Sequence, residues 1–203
     1  MNKKKLFTGV GFALAVLLIV AAVIYLSTRV ADDRALEEQA ATPILLTKTY
    51  DNQDSRYSIK YPTNWEYQIP AQGTVVFSGV EGTSAYYATV NIQTVLSKQT
   101  GGDFETVEAF MADIKKQALD EFQNAIFLDS GPISLSMPDG TEVKGEFLTF
   151  TYDYNGIAFK QWQVVLLRND EQVFYAWAYT SPAAQYEENL TIAQAMLKTW
   201  SIY

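Results

Sequence analysis

Three long segments near the C-terminal end, Glu142 to Tyr154, Ile157 to Arg168 and Glu171 to Thr180, alternate large and polar side chains with the two-residue period of a β-strand. Asn155-Gly156 separates the first two and Asn169-Asp170 the last two. Asn-Gly tolerates the left-handed backbone of the tight turn that joins antiparallel strands, so the triplet predicts an antiparallel meander. In the middle segment Lys160, Trp162, Val164 and Leu166 point one way, and Phe159, Gln161, Gln163, Val165 and Leu167 point the other. In the third, Tyr175, Trp177 and Tyr179 oppose Phe174, Ala176 and Ala178. With apolar side chains on both faces, a covering layer is expected on each.

The rest of the chain supplies the covering elements. Ile44 to Thr47 reads as a short strand, and Tyr57 to Tyr61 with Trp65 to Ile69 as the first hairpin. Thr74 to Ser78 and Ala85 to Leu96 read as further strands. Val107, Phe110, Met111, Ile114, Ala118, Leu119 and Phe122 recur at helical spacing, predicting an amphipathic helix capped by Asp103 or Thr106. Ala125 to Leu128 is expected to be a short strand, with surface loops at Gly79 to Ala85 and Asp129 to Thr141. A closing helix is expected to begin at Ser181-Pro182, its stripe formed by Tyr186, Leu190, Ala193, Leu197 and Trp200 with Met196 beside it. The fold class that follows is α/β: a largely antiparallel sheet of six or seven strands flanked by helices, over residues 44–203.

Ahead of this domain, Leu6 to Leu26 runs twenty-one residues without a charge. At about 1.5 Å per helical residue it crosses a hydrocarbon core of roughly 30 Å. Lys3, Lys4 and Lys5 precede it, while Arg29 behind it is followed by Asp32 and Asp33. The positive excess on the N-terminal side predicts residues 1–5 in the cytoplasm, 6–26 as a transmembrane anchor, 27–43 as a linker and 44–203 as an extracytoplasmic domain. A cleaved secretory signal is the competing reading. It suits a shorter apolar run and a small-x-small cleavage site, whereas Ser27-Thr28-Arg29-Val30-Ala31 places an arginine where a small residue is wanted. Val30 to Thr42 lacks a periodic apolar face and reads as spacing between bilayer and domain. Gly9 with Ala13 and Gly11 with Ala15 are small residues four apart, a weak signal for lateral helix contact.

Charge and composition narrow the function. Three of the 15 Lys and Arg precede the apolar run, so the rest of the chain carries 12 against 23 Asp and Glu. Such a surface repels phosphate backbones, and nucleic acid is not an expected partner. With neither Cys nor His in 203 residues, there is no disulfide, thiolate nucleophile, Cys/His zinc site or Ser-His-Asp triad.

Tyr57-Ser58-Ile59-Lys60-Tyr61-Pro62-Thr63-Asn64-Trp65, the strand triplet and the closing Tyr179-Thr180-Ser181-Pro182 helix together resemble the PsbP/Mog1-like family over about residues 45–203. The resemblance implies an α/β/α sandwich built on an antiparallel sheet, an accessory or binding role, and no catalytic apparatus common to the family. On the matching positions it implies structural roles for Tyr57, Ile59, Tyr61, Pro62 and Trp65. The absence of histidine argues against a histidine-based metal role.

Candidate chemistry is sparse. Asp51-Asn52-Gln53-Asp54-Ser55 offers oxygen ligands for calcium, but its spacing misses the EF-hand pattern and Asx-rich turns bond their own backbone. Glu142, Glu146 and Asp153 lie on one aromatic-rich strand without an identifiable carboxylate partner. Tyr152, Tyr154, Phe174, Tyr175, Trp177 and Tyr179 either sit beneath a helix or line a cleft whose polar handles would be tyrosine hydroxyls, Gln161 and Gln163. Glu187-Glu188 at the start of the closing helix suits its dipole. No catalytic, cofactor-binding or metal-ligating residue is assigned. The expected function is a non-enzymatic, membrane-anchored accessory domain that binds or stabilises a membrane or envelope protein in a bacterium, with a subunit of a membrane complex as one form of that role. The alternatives are a small-ligand-binding or hydrolytic domain, and a scaffold without a specific client. In fractionated cells the intact chain is expected to sediment with membranes and to resist alkaline carbonate extraction. Mature protein that begins after residue 26 would contradict the anchor.

Overall fold

The computed structural model describes residues 45–203, so the apolar run and the linker that follows it lie outside the described residues. Ten strands and two α-helices follow in order. They are β1 (Lys48–Asn52), β2 (Tyr57–Tyr61), β3 (Trp65–Ala71), β4 (Thr74–Gly79), β5 (Thr89–Leu96), α1 (Val107–Glu121), β6 (Gln123–Ser136), β7 (Glu142–Tyr154), β8 (Ile157–Leu167), β9 (Val173–Pro182), α2 (Tyr186–Lys198) and β10 (Ser201–Ile202). Seven strands form one sheet in the order β3-β4-β5-β9-β8-β7-β6, and β1-β2-β10 form a second. Every pairing between named strands is antiparallel.

The predicted meander is present. β7 turns into β8 through Asn155 and Gly156, both at positive φ, with Tyr154 opposite Ile157. β8 then pairs with β9, with Val164 opposite Trp177. Alternation divides the interior as expected. Val164, Leu166, Tyr175, Trp177 and Tyr179 enter one core with Tyr186, Ala193, Met196 and Leu197 of α2 and with Tyr57, Ile59 and Tyr61 of β2. Phe159, Val165, Phe174 and Ala176 enter a second core with Phe110, Met111 and Ala118 of α1 and with Leu148, Phe150 and Tyr152 of β7. The large sheet thus carries α1 on one face and α2 with the small sheet on the other.

Several expected boundaries move. The first strand is Lys48–Asn52 rather than a segment ending at Thr47, so Asp51 and Asn52 belong to the strand and the turn follows them. β2 and β3 do not form a hairpin. The chain turns where the Trp65 N–H donates to the Pro62 carbonyl at 3.1 Å, and it passes from one sheet to the other. β2 then pairs with β1 and β10, and β3 pairs with β4. The stretch expected as a short strand and a long loop is a single 14-residue edge strand. Register shifts near Asn124 and Leu128 bend this strand, and Pro132 sits on it where an edge tolerates a missing N–H. Thr106, not Asp103, caps α1, its hydroxyl accepting from Ala109 N at 3.2 Å. Leu119 falls outside the buried stripe and is 59 % exposed. Ser181 and Pro182 end β9 rather than opening α2, which begins after a short 3-10 turn.

The C-terminus closes the small sheet. Ser201 and Ile202 pair with Ser58 and Tyr57, and buried Trp200 packs edge-on against Tyr57 and Tyr175 with ring centroids 6.2 and 5.8 Å apart. Trp177 is fully buried, its ring 5.2 Å from that of Trp162. Trp177→Ala removes the largest side chain on the α2 face of β9 and is expected to destabilise the domain by about 3–5 kcal/mol, read as a lowered urea midpoint.

Candidate functional site

β7 is thirteen residues long, and at about 3.3 Å per residue its length separates the carboxylates it carries. Glu142 and Glu146, near the start of β7, line an open groove of about 870 Å³ between that end of the sheet and the N-terminus of α1. Asp153 lies near the other end of β7, where it accepts from Asn124 Nδ2 at 2.6 Å, outside this groove. Gly145 forms part of the groove wall, and an added Cβ there would sit 1.9 Å from the Val165 carbonyl oxygen. Only glycine lets β7 and β8 close at that point.

Several of the charges lining this groove are engaged. Lys98 pairs with Glu105 at 3.2 Å, and Gln99 Nε2 donates to Glu171 Oε2 at 2.6 Å. Arg168 Nε donates to Asp170 Oδ1 at 2.8 Å, and its Nη1 donates to the Tyr175 hydroxyl at 3.3 Å. That hydroxyl donates in turn to the Ser55 carbonyl at 2.6 Å, tying β9 to the turn between β1 and β2. The hydrogen bond from Arg168 holds the Asp170 carboxyl below the usual carboxylate range. At the start of α1, the backbone N–H of Glu108 and the hydroxyl of Thr106 hold the exposed Glu108 carboxyl low as well. Burial pushes the Glu121 carboxyl up, but Glu121 ends α1 and is far from the groove. General-acid chemistry needs a raised carboxyl beside a second reactive group. In the groove Glu105 is salt-bridged and Glu108 is held low, so neither is such a group.

A second, smaller groove of about 330 Å³ runs between the edge of the large sheet and α2. Leu128 of β6 and Leu190 of α2 stand on its two sides, with Trp162 and Tyr186 between them. Lys160 crosses it, its Nζ 4.2 Å from the Tyr186 ring centroid and 2.9 Å from Glu187 Oε1. Leu128 and its neighbour Ile126 are 54 % and 58 % exposed. The expected dipole role of Glu187 therefore extends to fixing Lys160. Sequence reasoning missed this groove because Leu128 and Leu190 are far apart in the chain and neither belongs to a motif.

The other candidates have structural explanations. Tyr175, Trp177 and Tyr179 are fully buried, and the Tyr179 hydroxyl donates to the Tyr186 carbonyl of α2 at 2.7 Å. They are sealed beneath α2 and the small sheet, not exposed in a cleft. Tyr152 and Phe174 are buried on the opposite face, in the α1 core. Gln161 and Gln163 are buried too: Gln161 Nε2 donates to Gln163 Oε1 at 3.0 Å, and Gln163 Nε2 to the Trp177 carbonyl at 3.1 Å. In the Asp51–Ser55 stretch, Asn52 Oδ1 accepts from Ser55 N at 2.9 Å, and Asp51 accepts from the Tyr203 hydroxyl. Among the described residues no group of three or more acidic side chains is placed to hold a metal.

No family model and no curated protein matches the chain. Solved structures do. The Pseudomonas aeruginosa protein PA94, of unknown function and described as a putative regulator, shares 14 % identity at a TM-score of 0.50, over 75 % of this chain and 94 % of its own. The cyanobacterial PsbP of Synechocystis sp. PCC 6803 shares 11 % at a TM-score of 0.52, over 82 % of this chain and 99 % of its own. The Ran-binding protein Mog1p of Saccharomyces cerevisiae shares 9 % at 0.49, over 76 % and 94 %. The first two show a common fold: antiparallel sheets flanked by two helices, of the PsbP/Mog1 class.

The Arg168–Asp170 pair has a measurable pH signature. A depressed carboxyl contributes stability above its unfolded pKa and loses it as pH falls through the folded value. Asp170→Asn is expected to lower stability at pH 7 by about 1 kcal/mol or less, since Asp170 is one-third exposed and water screens the pair. The gap to wild type is expected to close as pH drops below about 4. A gap that stays constant to pH 2 in urea titrations would contradict this assignment.

Proposed function

We propose that this chain is a non-enzymatic accessory domain, held outside the cytoplasm by residues 6–26 and working by contact with a membrane or envelope protein. The observation that carries the reading is where the reactive-looking side chains lie. Tyr175, Trp177 and Tyr179, which would line a substrate cleft, are buried in the core that α2 and the small sheet cover, and of the groove carboxylates Glu105 pairs with Lys98 and Glu108 is held low at the start of α1. What remains available for recognition is surface. The groove between β6 and α2 offers the best of it, with an exposed leucine, a partly buried indole and a fixed lysine, and Ile126 exposed nearby on β6. Apolar and aromatic contacts ringed by charge suit a protein partner.

The cyanobacterial PsbP shares the architecture. Tethering by residues 6–26 would confine the domain beside the bilayer and raise its effective concentration against a membrane partner. The small-ligand or hydrolytic alternative calls for an open aromatic pocket with convergent carboxylates, and no observation in the described residues favours it.

A photo-crosslinking amino acid at Leu128, in cells expressing the full chain, is expected to give a discrete adduct with one membrane or envelope protein. Leu190→Asp, which puts a charge on the opposite wall, is expected to reduce that adduct at least tenfold. A diffuse product pattern, or an adduct indifferent to Leu190→Asp, would sink the groove as the contact site.

A further inference from the structure

Strand order gives the domain two edges of different character. The large sheet runs β3-β4-β5-β9-β8-β7-β6, so β3 closes one edge and β6, with its groove beside α2, closes the other. Six strand spacings of about 4.8 Å put roughly 29 Å between them. The small sheet ends on the β3 side as well, with β1 as its outer strand. Lys48 Nζ donates to the Trp65 carbonyl at 2.9 Å, and the rings of Tyr50 and Tyr67 meet edge-on with centroids 4.9 Å apart, so β1 lies against β3. The chain therefore enters the described domain at this edge and not at the β6 edge.

Apolar side chains along the β3 edge are wet. Ile69 is 59 % exposed, Tyr67 45 % and Leu45 67 %. Tyr67 lies opposite the fully buried Phe77, so the cover of that face runs out within one strand. Neither Tyr67 nor Ile69 lines either groove. Addition of a further strand to β3 is blunted, because Pro70 has no N–H to offer and the register shifts between Gln68 and Ala71. A protein interface of ordinary size takes about 800 Å² from each partner, more than a line of three side chains supplies. A fluid boundary asks for no such matching shape. Tyrosine, with an apolar ring and a polar tip, and lysine, whose charge reaches water from an apolar stem, are suited to the zone between headgroups and acyl chains. Lys48 stands here with its Nζ 5.7 Å from the Tyr61 ring, and exposed Lys60 lies opposite Thr49. Strand alternation turns Glu66 and Gln68 to the other face of β3.

We infer that the β1–β3 edge is a lipid contact: Leu45, Tyr67 and Ile69 enter the headgroup layer of a bilayer, and the large sheet stands on it edge-on. The inference rests on the reading of residues 6–26 as the anchor and adds an orientation to it. Eighteen residues separate Leu26 from Leu45, so the tethered edge and the apolar edge are the same one. A patch too small to hold a free protein on a membrane suffices for a tethered one, since the tether supplies the local concentration. The β6–α2 groove then faces away from lipid, about 30 Å along the sheet, and meets the water-exposed part of a partner rather than its membrane-spanning part.

The chain has no cysteine, so single labels report without background. The full chain is reconstituted in phosphatidylcholine vesicles, a fraction of whose lipids carry a spin label near the headgroup, with an environment-sensitive fluorophore on Gln68→Cys, Leu119→Cys or Leu128→Cys. All three positions are exposed, and labelling Gln68 leaves the edge side chains in place. The Gln68 label is expected to be quenched at least fivefold more than the other two, and Ile69→Asp in the same chain is expected to abolish the difference. Equal quenching at the three positions, or quenching at Gln68 that survives Ile69→Asp, would overturn the lipid contact. A Gln68 label shielded from a water-soluble quencher but untouched by the spin-labelled lipid would assign the edge to a second copy of the chain, and would overturn it too. Each of these outcomes leaves the anchor standing, whereas vesicles that float without the chain would remove the anchor and the inference together.

Discussion

Burial of β8 and β9 on both faces is the constraint from which the rest of the architecture follows. Each strand must send alternate side chains into two separate cores, and each core needs its own cover. Tyr175, Trp177 and Tyr179 draw α2 and the small sheet onto one side, while Phe174, Ala176 and Val165 draw α1 onto the other. The Tyr175 hydroxyl bonds to both Arg168 and the Ser55 carbonyl, and the Tyr179 hydroxyl holds the start of α2. The aromatic side chains that looked most chemical in the sequence are therefore the hinge points of the packing.

That use of the aromatics shapes the functional conclusion. A binding site for a small molecule needs apolar walls left open and polar groups aimed inward. Here the apolar walls are closed by helices and the carboxylates point to solvent or to cations. In the proposed role recognition falls to the rim: the edge strand β6, the exposed start of α2 and the lysine held between a tyrosine ring and Glu187. Edges of sheets are normally blunted against unwanted pairing, and β6 carries Pro132 and two register shifts that do this without hiding Ile126 and Leu128.

The parts of the fold legible in the sequence are those in which local pattern and tertiary environment agree. The meander from Glu142 to Thr180 alternates because both of its faces are buried, and the α1 stripe at Phe110, Met111 and Ala118 repeats because one face of that helix is covered. β6 was opaque for the opposite reason. As an edge strand it is half wet, so Asp129-Ser130-Gly131-Pro132 carries the composition of a turn although its backbone pairs along β7. The crossing at Pro62 was illegible because a three-residue link between two strands is also the signature of a hairpin; only the partner strands, β10 from the far end of the chain and β4, decide otherwise. The groove beside α2 left no signal, since Leu128, Trp162 and Leu190 meet only through the packing of three elements.

The small sheet is completed by β10, which comes last among the described strands. β10 pairs with β2, Tyr203 N–H donates to the Arg56 carbonyl at 3.0 Å, and Trp200 fills the space between Tyr57 and Tyr175. Without that pairing the interior lacks this plug and β2 keeps only one of its two neighbours, so the two ends of the described residues cannot be secured independently. Whatever loosens Trp200 loosens the first strands as well.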